Sequence, residues 1–296
     1  MDKRKTWNIA KGILKIGLTA FLMWLVFRKI NFEQLRSAFL HSNPFFVALA
    51  FIFLLASQFI SSWRLMVFLR GAGIKIAFGS NLRLYFMGLF YNSFLPGGIG
   101  GDGYKVYYLR SLYKKPVKQI FISILSDRFS GLWAICLLVA VFGSLLPVNL
   151  ISDYTLLFLV LFISGVYYLL IRYFFPVYAE YFLTGHIKAI LAQSLQALSI
   201  TMLLLSQGYS GDLSPYLFSF FLSSMATAVP VSIGGAGVRE FVMLNIAGPL
   251  HINAPLAVLT TLTFYMLSLL TALPGVWFAW TKPAGQPQLP QSSPAM

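Results

Sequence analysis

Six apolar runs, at about residues 9–27, 44–64, 119–146, 154–171, 189–207 and 255–280, dominate the chain and limit what it can become. Each approaches the roughly 20 helical residues that cross the ~30 Å hydrocarbon core of a bilayer. No water reaches the backbone at that depth, so its N–H and C=O groups must be paired within the segment, and Leu-, Ile- and Phe-rich runs of this length predict helices. Composition agrees: 58% of the 296 residues are hydrophobic and 10% charged, with a mean hydropathy of +0.77, whereas soluble domains carry about 25% charged residues. The expected fold class is all-α, a polytopic transmembrane helical bundle filling residues 1–282 as a single domain. Residues 283–296 (PAGQPQLPQSSPAM) read as a disordered, uncharged tail.

The net charge of +14 would suggest nucleic acid in a soluble protein. Here the cations sit in short runs between apolar spans, which is the pattern of cytoplasmic loops and excludes a nucleic-acid partner. Cys136 is the single cysteine, so no intrachain disulfide can form. His41, His186 and His251 lie too far apart for a metal site, and no cofactor is expected. The basic start MDKRKTWNIAKGILKIG leads into an apolar run that ends in FRKI rather than small residues, so it predicts a retained first helix.

Two further segments, 79–110 and 214–250, are apolar but broken, at PGGIGGDG and PVSIGGAG. Aligned, Pro96-Gly97-Gly98-Ile99-Gly100-Gly101-Asp102-Gly103-Tyr104-Lys105 and Pro230-Val231-Ser232-Ile233-Gly234-Gly235-Ala236-Gly237-Val238-Arg239 share P-x-x-I-G-G-x-G-x-[KR] in register. Broken backbone at membrane depth is tolerated only against protein or a wet cavity. Glycine-interrupted helices at matching places in two inverted halves point to a transporter's central site. Helix N-termini at the breaks, with Lys105 and Arg239 beside them, make a cradle for an anionic headgroup.

The charges order the segments across the membrane. Lys3, Arg4, Lys5, Lys11 and Lys15 put the N-terminus inside; Arg64, Arg70, Lys75 and Arg83 mark the inside end of the second span. Lys105, Arg110, Lys114, Lys115 and Lys118 are also inside, so 79–110 dips in and turns back as a re-entrant hairpin. Loop 147–153 carries Asp153 and no cation, Arg172 and Lys188 bracket an inside loop, and Asp212 lies outside. Segment 214–250 must then also return to its own side if Lys282 is inside, and the two hairpins enter from opposite faces. This assignment puts loop 28–43 outside despite Arg28, Lys29 and Arg36 against Glu33. Both termini are cytoplasmic, in a cytoplasmic (inner) membrane.

Ionisable groups within the apolar segments are costly and mark function or pairing. Asp102 lies in the first break, Glu240 just after the second, and Asp127-Arg128 early in the third full span. Adjacent on a helix, Asp127 and Arg128 diverge by about 100° and must pair with different neighbours. Asn92, one turn before Pro96, is placed to hydrogen-bond freed backbone. Gly98-x-Gly100-x-x-Gly103 formally meets a dinucleotide fingerprint, but no strand precedes it; GGIGGDGYK is no Walker A, because Tyr104 stands where the lysine must be.

Asn92…Pro96…Gly100-Gly101-Asp102…Lys105, Asp127-Arg128 and Pro230-x-Ser232-x-Gly234-Gly235-x-Gly237-x-Arg239-Glu240, with Trp63-Arg64, resemble the lysylphosphatidylglycerol synthase transmembrane region family over roughly residues 9–280. In larger members a similar membrane domain flips an aminoacylated phospholipid that a soluble aminoacyltransferase domain makes. That soluble domain is absent here, and Lys105 stands where the resemblance leads one to expect arginine. The resemblance implies lipid translocation without synthesis, on a phospholipid, glycolipid or polyprenyl-linked lipid. The substrate-binding set it suggests is Arg64, Asn92, Pro96, Gly100, Gly101, Asp102, Lys105, Asp127, Arg128, Pro230, Ser232, Gly234, Gly235, Gly237, Arg239 and Glu240. Lys105, Arg128 and Arg239 would meet phosphate, while Asp102 and Glu240 balance charge. No ATPase or transferase motif is found, so a transporter rather than an enzyme is expected. The rival readings are an intramembrane transferase on a lipid-linked substrate and a non-transporting accessory subunit of a lipid-synthesis complex. A second copy of the chain or a separate lipid-synthesis enzyme are the protein partners considered.

Overall fold

The computed structural model describes residue 40 and residues 42–94, 100–146, 153–227 and 237–280. Among these, every regular element is a helix. Five helices are long and apolar enough to cross a membrane: α1 (Pro44–Gly71), α4 (Val117–Gly143), α5 (Asp153–Phe174), α7 (Phe182–Ser206), and α10 (Ala254–Ala272) continued by α11 (Pro274–Trp280). The expected run 9–27, nearly all of loop 28–43, the tail 283–296 and the tips 96–99 and 230–236 lie outside the described residues.

Between the long helices stand two pairs of short ones, α2 (Phe78–Phe94) with α3 (Gly100–Tyr113), and α8 (Ser214–Thr227) with α9 (Val238–Ala247). A short helix α6 (Pro176–Ala179) joins α5 to α7. At 1.5 Å per residue α2 is about 25 Å long, α3 and α8 about 21 Å, and α9 about 15 Å, all short of a 30 Å core. Neither pair can span by a single element.

The bundle is built on α1 and α7, which run antiparallel. Asn43 caps α1 by accepting from the Phe45 N–H (3.0 Å) and donates its own N–H to the Ser206 carbonyl at 2.7 Å. Seven residues on, the Ser199 hydroxyl bonds the Ala50 carbonyl (2.9 Å). Small residues are fully buried on both helices, Ser57 on α1 and Ala189 and Ala192 on α7, which lets backbones approach where hydrophobicity gives no drive between apolar helices.

Helices α4 and α10 hold the two hairpins. On α4, Arg128 meets Asp102 at the start of α3, and Ile120 and Ile124 pack with Leu109 further along it. At the other end of α4, Phe142 stacks on Phe221 (5.9 Å) and the Ser214 hydroxyl bonds the Leu145 carbonyl (3.1 Å). On α10 the order reverses. Its N-terminal residues meet the second hairpin, with the Asn253 N–H donating to the Tyr216 hydroxyl at 3.0 Å. At its far end Arg83 of α2 lies over the Phe278 ring at 5.6 Å, and Gly275 abuts the Phe86 carbonyl. Two antiparallel long helices therefore each carry the first hairpin at one end and the second at the other.

The ends differ in charge. The end of the first hairpin carries Arg70, Lys75, Arg83, Arg110, Lys114, Lys115 and Lys118, while the described loops at the opposite end, 207–213 and 248–253, carry Asp212 and no Lys or Arg. Residue 43 lies at that second end, beside Ser206.

Two boundaries differ from the sequence reading. Helix α1 runs to Gly71, so Arg64 does not mark its end but is buried within it. Helix α7 begins at Phe182, so Lys188 belongs to its second turn rather than to a loop, its ammonium 4.3 Å from the Trp63 ring. In both places a charge was read as a terminus, although an ion pair or an aromatic face lets the helix continue past it.

Candidate functional site

The first site forms where α1, α3 and α4 meet. Asp127 and Arg128 point to different neighbours, as their helical offset requires. Asp127 Oδ1 accepts from Arg64 Nε at 2.7 Å, with both side chains less than a tenth exposed. Arg128 Nε donates to Asp102 Oδ2, and Lys105 Nζ reaches Asp102 Oδ1 at 3.3 Å. Lys105 is buried and its ammonium lies 5.2 Å from the Tyr85 ring, whose hydroxyl bonds Gln58 Oε1 (3.1 Å). Three cations share two carboxylates, leaving one formal positive charge.

That charge has an outlet. The Arg128 side chain is 50% exposed, whereas Arg64 Nη1 is buried without a hydrogen-bond partner against Gly131. Arg64 is therefore fixed inside the bundle, while Arg128 presents guanidinium N–H groups beyond the one that holds Asp102.

The break itself is held by Asn92 and Gly101. Asn92 Oδ1 accepts from the Gly101 N–H at 2.9 Å, satisfying one of the free donors at the start of α3. A Cβ on Gly101 would overlap the Gly88 carbonyl and come 2.8 Å from Asn92 Oδ1. Glycine is required there because α2 and α3 touch backbone to backbone.

The second site is built differently. Gly237 adopts φ +79°, and its N–H donates to Glu240 Oε2 at 2.8 Å, so Glu240 caps α9. Glu240 is 1% exposed and also interacts with Thr261. The Arg239 guanidinium lies between the Phe220 and Phe264 rings, 5.3 Å from each centroid, and its Nε is buried with no hydrogen-bond partner among the described residues. Among the described residues no ion pair links Arg239 or Glu240 to the first hairpin. Pro96, Pro230, Ser232, Gly234 and Gly235 lie outside the described residues, and Gly100 opens α3.

The sequence reading did not anticipate the buried His186. Its ring stacks on Phe182 (3.8 Å) and meets Trp133 (4.9 Å) and Tyr167 (5.6 Å) edge-on, while Nδ1 contacts the Phe182 carbonyl at 2.7 Å. Two of these contacts, to Trp133 of α4 and Tyr167 of α5, bridge different helices, and no local pattern could reveal them. Tyr85 was also missed, although Tyr85 and Asn92, seven residues apart, share a face of α2.

A bundle of membrane-length helices interrupted by two glycine-broken hairpins, with arginines set among the helices beside them, defines a polytopic integral membrane protein. Residues 12–188 match the lysylphosphatidylglycerol synthase transmembrane region family, and the chain belongs to that family. The match takes in the first broken motif and the Arg64–Asp127–Arg128 cluster but stops before the second motif. Among curated proteins, the chain is similar to the UPF0104 membrane protein MJ1595 of Methanocaldococcus jannaschii, 25% identical over 122 residues. That similarity covers 41% of this chain and 36% of the relative, so the chain matches little more than a third of that protein's length.

Proposed function

We propose that this protein moves an amphipathic lipid with an anionic headgroup between the leaflets of the cytoplasmic membrane. In this reading the hairpins are re-entrant. The α2–α3 hairpin enters from the cytoplasmic, cation-rich face and the α8–α9 hairpin from the other, and the headgroup passes between their tips while the acyl chains stay in lipid. The observation that carries the reading is the reversed order of the two hairpins along α4 and α10, the order expected of short helices that enter from opposite faces. The buried cations support it. A buried guanidinium N–H without a hydrogen-bonding partner, as at Arg239 Nε, is costly in an apolar interior, and an anionic headgroup is a ligand that offsets this cost. Arg128 supplies the matching contact at the first hairpin, and Lys105 acts through Asp102, holding it in place. Family membership adds a lipid-related membrane context. The chain works as a transporter, not an enzyme, with a membrane lipid as its partner.

The test is reconstitution in liposomes with fluorescent lipids bearing anionic, zwitterionic or cationic headgroups, read by outer-leaflet quenching. Anionic lipids should exchange faster than in empty liposomes, and Arg128→Ala with Arg239→Ala should return the rate to background. If no headgroup moves faster with the protein than without it, the proposal is wrong.

A further inference from the structure

The turn between α3 and α4 holds a cavity of about 390 Å³ lined by Arg110, Lys114, Lys115, Pro116 and Val117. Between residues 103 and 126 the chain has no acid, so the segment that carries these cations does not itself neutralise them. A second cavity of about 320 Å³ lies just along α4, where Ile122, Leu125 and Phe129 face Leu170 and Phe174 of α5 and the groove closes on Tyr178. Its lining is overwhelmingly carbon.

The two lie along the same helix, α4, and Lys118 stands between their linings. Lys118 is exposed and stands four residues before Ile122, so Lys118, Ile122, Leu125 and Phe129 follow the three- and four-residue spacing of a single stripe. Their other walls adjoin as well. The Tyr178 ring packs 2.8 Å from where a Gly71 Cβ would stand, and Lys115 Nζ lies 3.2 Å from the same point on Gly73. Tyr178 is fixed by its hydroxyl, which donates to the Gln119 carbonyl at 2.9 Å and pairs with the Ser123 hydroxyl at 3.0 Å. From Lys118 to Leu125 is about 10 Å along the axis. A cationic cup therefore sits one or two turns above an apolar slot.

We propose that this is a seat for one anionic phospholipid, its phosphate among Lys114, Lys115 and Lys118 and one acyl chain in the α4–α5 groove. The cup alone is a basic surface and the groove alone a greasy one; their register on α4 fits a molecule that is anionic at one end and apolar at the other. The seat needs a membrane around the helices but not lipid movement, so it stands or falls separately from translocation.

The full chain in phosphatidylcholine nanodiscs, doped with phosphatidylglycerol carrying a diazirine in mid-acyl chain, tests it by photolabelling and peptide mapping. Labelling should concentrate on residues 122–129 and 170–174, above the level on the exposed α5 face at Phe158 and Phe162, which are 71% and 62% exposed. Lys115→Gln and Lys118→Gln should each lower groove labelling about fivefold at low salt, the equivalent of about 1 kcal/mol per cation, and Leu125→Trp should displace it. Should a variant fold poorly, a salt titration of the unaltered protein makes the same test. A phosphatidylcholine probe should show no such preference. Equal labelling of the groove and the Phe158–Phe162 face, or groove labelling indifferent to headgroup charge and salt, would overturn the proposal. A protein that labels as described yet moves no lipid retains the seat and refutes only translocation; one that moves lipid without this labelling does the reverse.

Discussion

The Arg64–Asp127 pair offers the most quantitative test of how this bundle is held together. Its 2.7 Å contact is buried on both sides, with side-chain exposures of 9% and 8%. At an effective dielectric of about 20 the direct attraction is roughly 6 kcal/mol, most of it offset by the loss of hydration when two ions are buried. Removing one partner deletes the attraction but leaves the other charge in place. Asp127→Leu should therefore cost about 3–5 kcal/mol, because Arg64 Nη1 already lacks a partner and Nε would join it. Arg64→Met should cost a similar amount by stranding Asp127. The double variant buries no charge at all and should return to within about 1 kcal/mol of the parent. Unfolding in detergent, followed by helix content against denaturant, gives the three free energies and hence the coupling. If the two single losses simply add in the double variant, the pair is not coupled, and its burial reflects packing of the carbon stems instead.

Three other outcomes follow from the site. Gly101→Ala should destabilise by at least about 1–3 kcal/mol through overpacking, since its Cβ has no room between the Gly88 carbonyl and Asn92; thermal unfolding checks this, and Gly88→Ala, which instead meets the flexible Lys105 stem, should cost less. Asn92→Ala should cost about 1 kcal/mol by uncapping α3, whereas Asn92→Asp, which keeps the accepting oxygen, should recover much of it. Arg239→Gln should leave stability unchanged or raised, because it removes a charge whose Nε is buried with no hydrogen-bond partner among the described residues, while abolishing anionic-lipid exchange in the liposome assay; a loss of both together would mean that Arg239 has a structural partner.

How much of this was legible in the sequence depended on whether the signal was local. Long apolar helices, the two interruptions and the divergence of Asp127 from Arg128 all follow from spacing along one segment, and the described structure carries each of them. Asn92 was legible for the same reason, standing one turn before a proline. Which face of a span packs inward was not legible. The span Thr155–Phe174 has a hydropathy of 2.0 and none of its window buried, whereas Ala254–Phe278 has 1.9 and half of its window buried. In a bilayer both lipid and protein interior favour carbon, so hydropathy marks depth and says little about neighbours. Arg64 was misplaced to a helix end because its compensating acid lies 63 residues away. The His186 box, drawn from α1, α4, α5 and α7, was out of reach for the same reason.

The twin motif itself shows where sequence equivalence stops. Gly103 and Gly237 occupy the same motif position, yet Gly103 lies inside α3, with nothing within 4 Å of an added Cβ, and Gly237 takes φ +79° ahead of α9. In the first hairpin the helix already runs through Asp102, which sets Asp102 and Lys105 one turn apart and lets them pair. In the second, a residue at positive φ stands two positions before Arg239, and Glu240 turns back to cap the backbone at Gly237 rather than to neutralise the guanidinium. Identical substitutions should then have opposite signs. Gly103→Ala should stabilise by up to about 1 kcal/mol, since alanine loses less backbone entropy in a helix and meets no neighbour here. Gly237→Ala should cost about 1–2 kcal/mol, because an L side chain at positive φ crowds its own carbonyl. Denaturant unfolding of the two single variants decides the point. Equal effects would mean that the halves are conformationally equivalent at this position, and that the difference in pairing between Lys105 and Arg239 must come from residue choice alone.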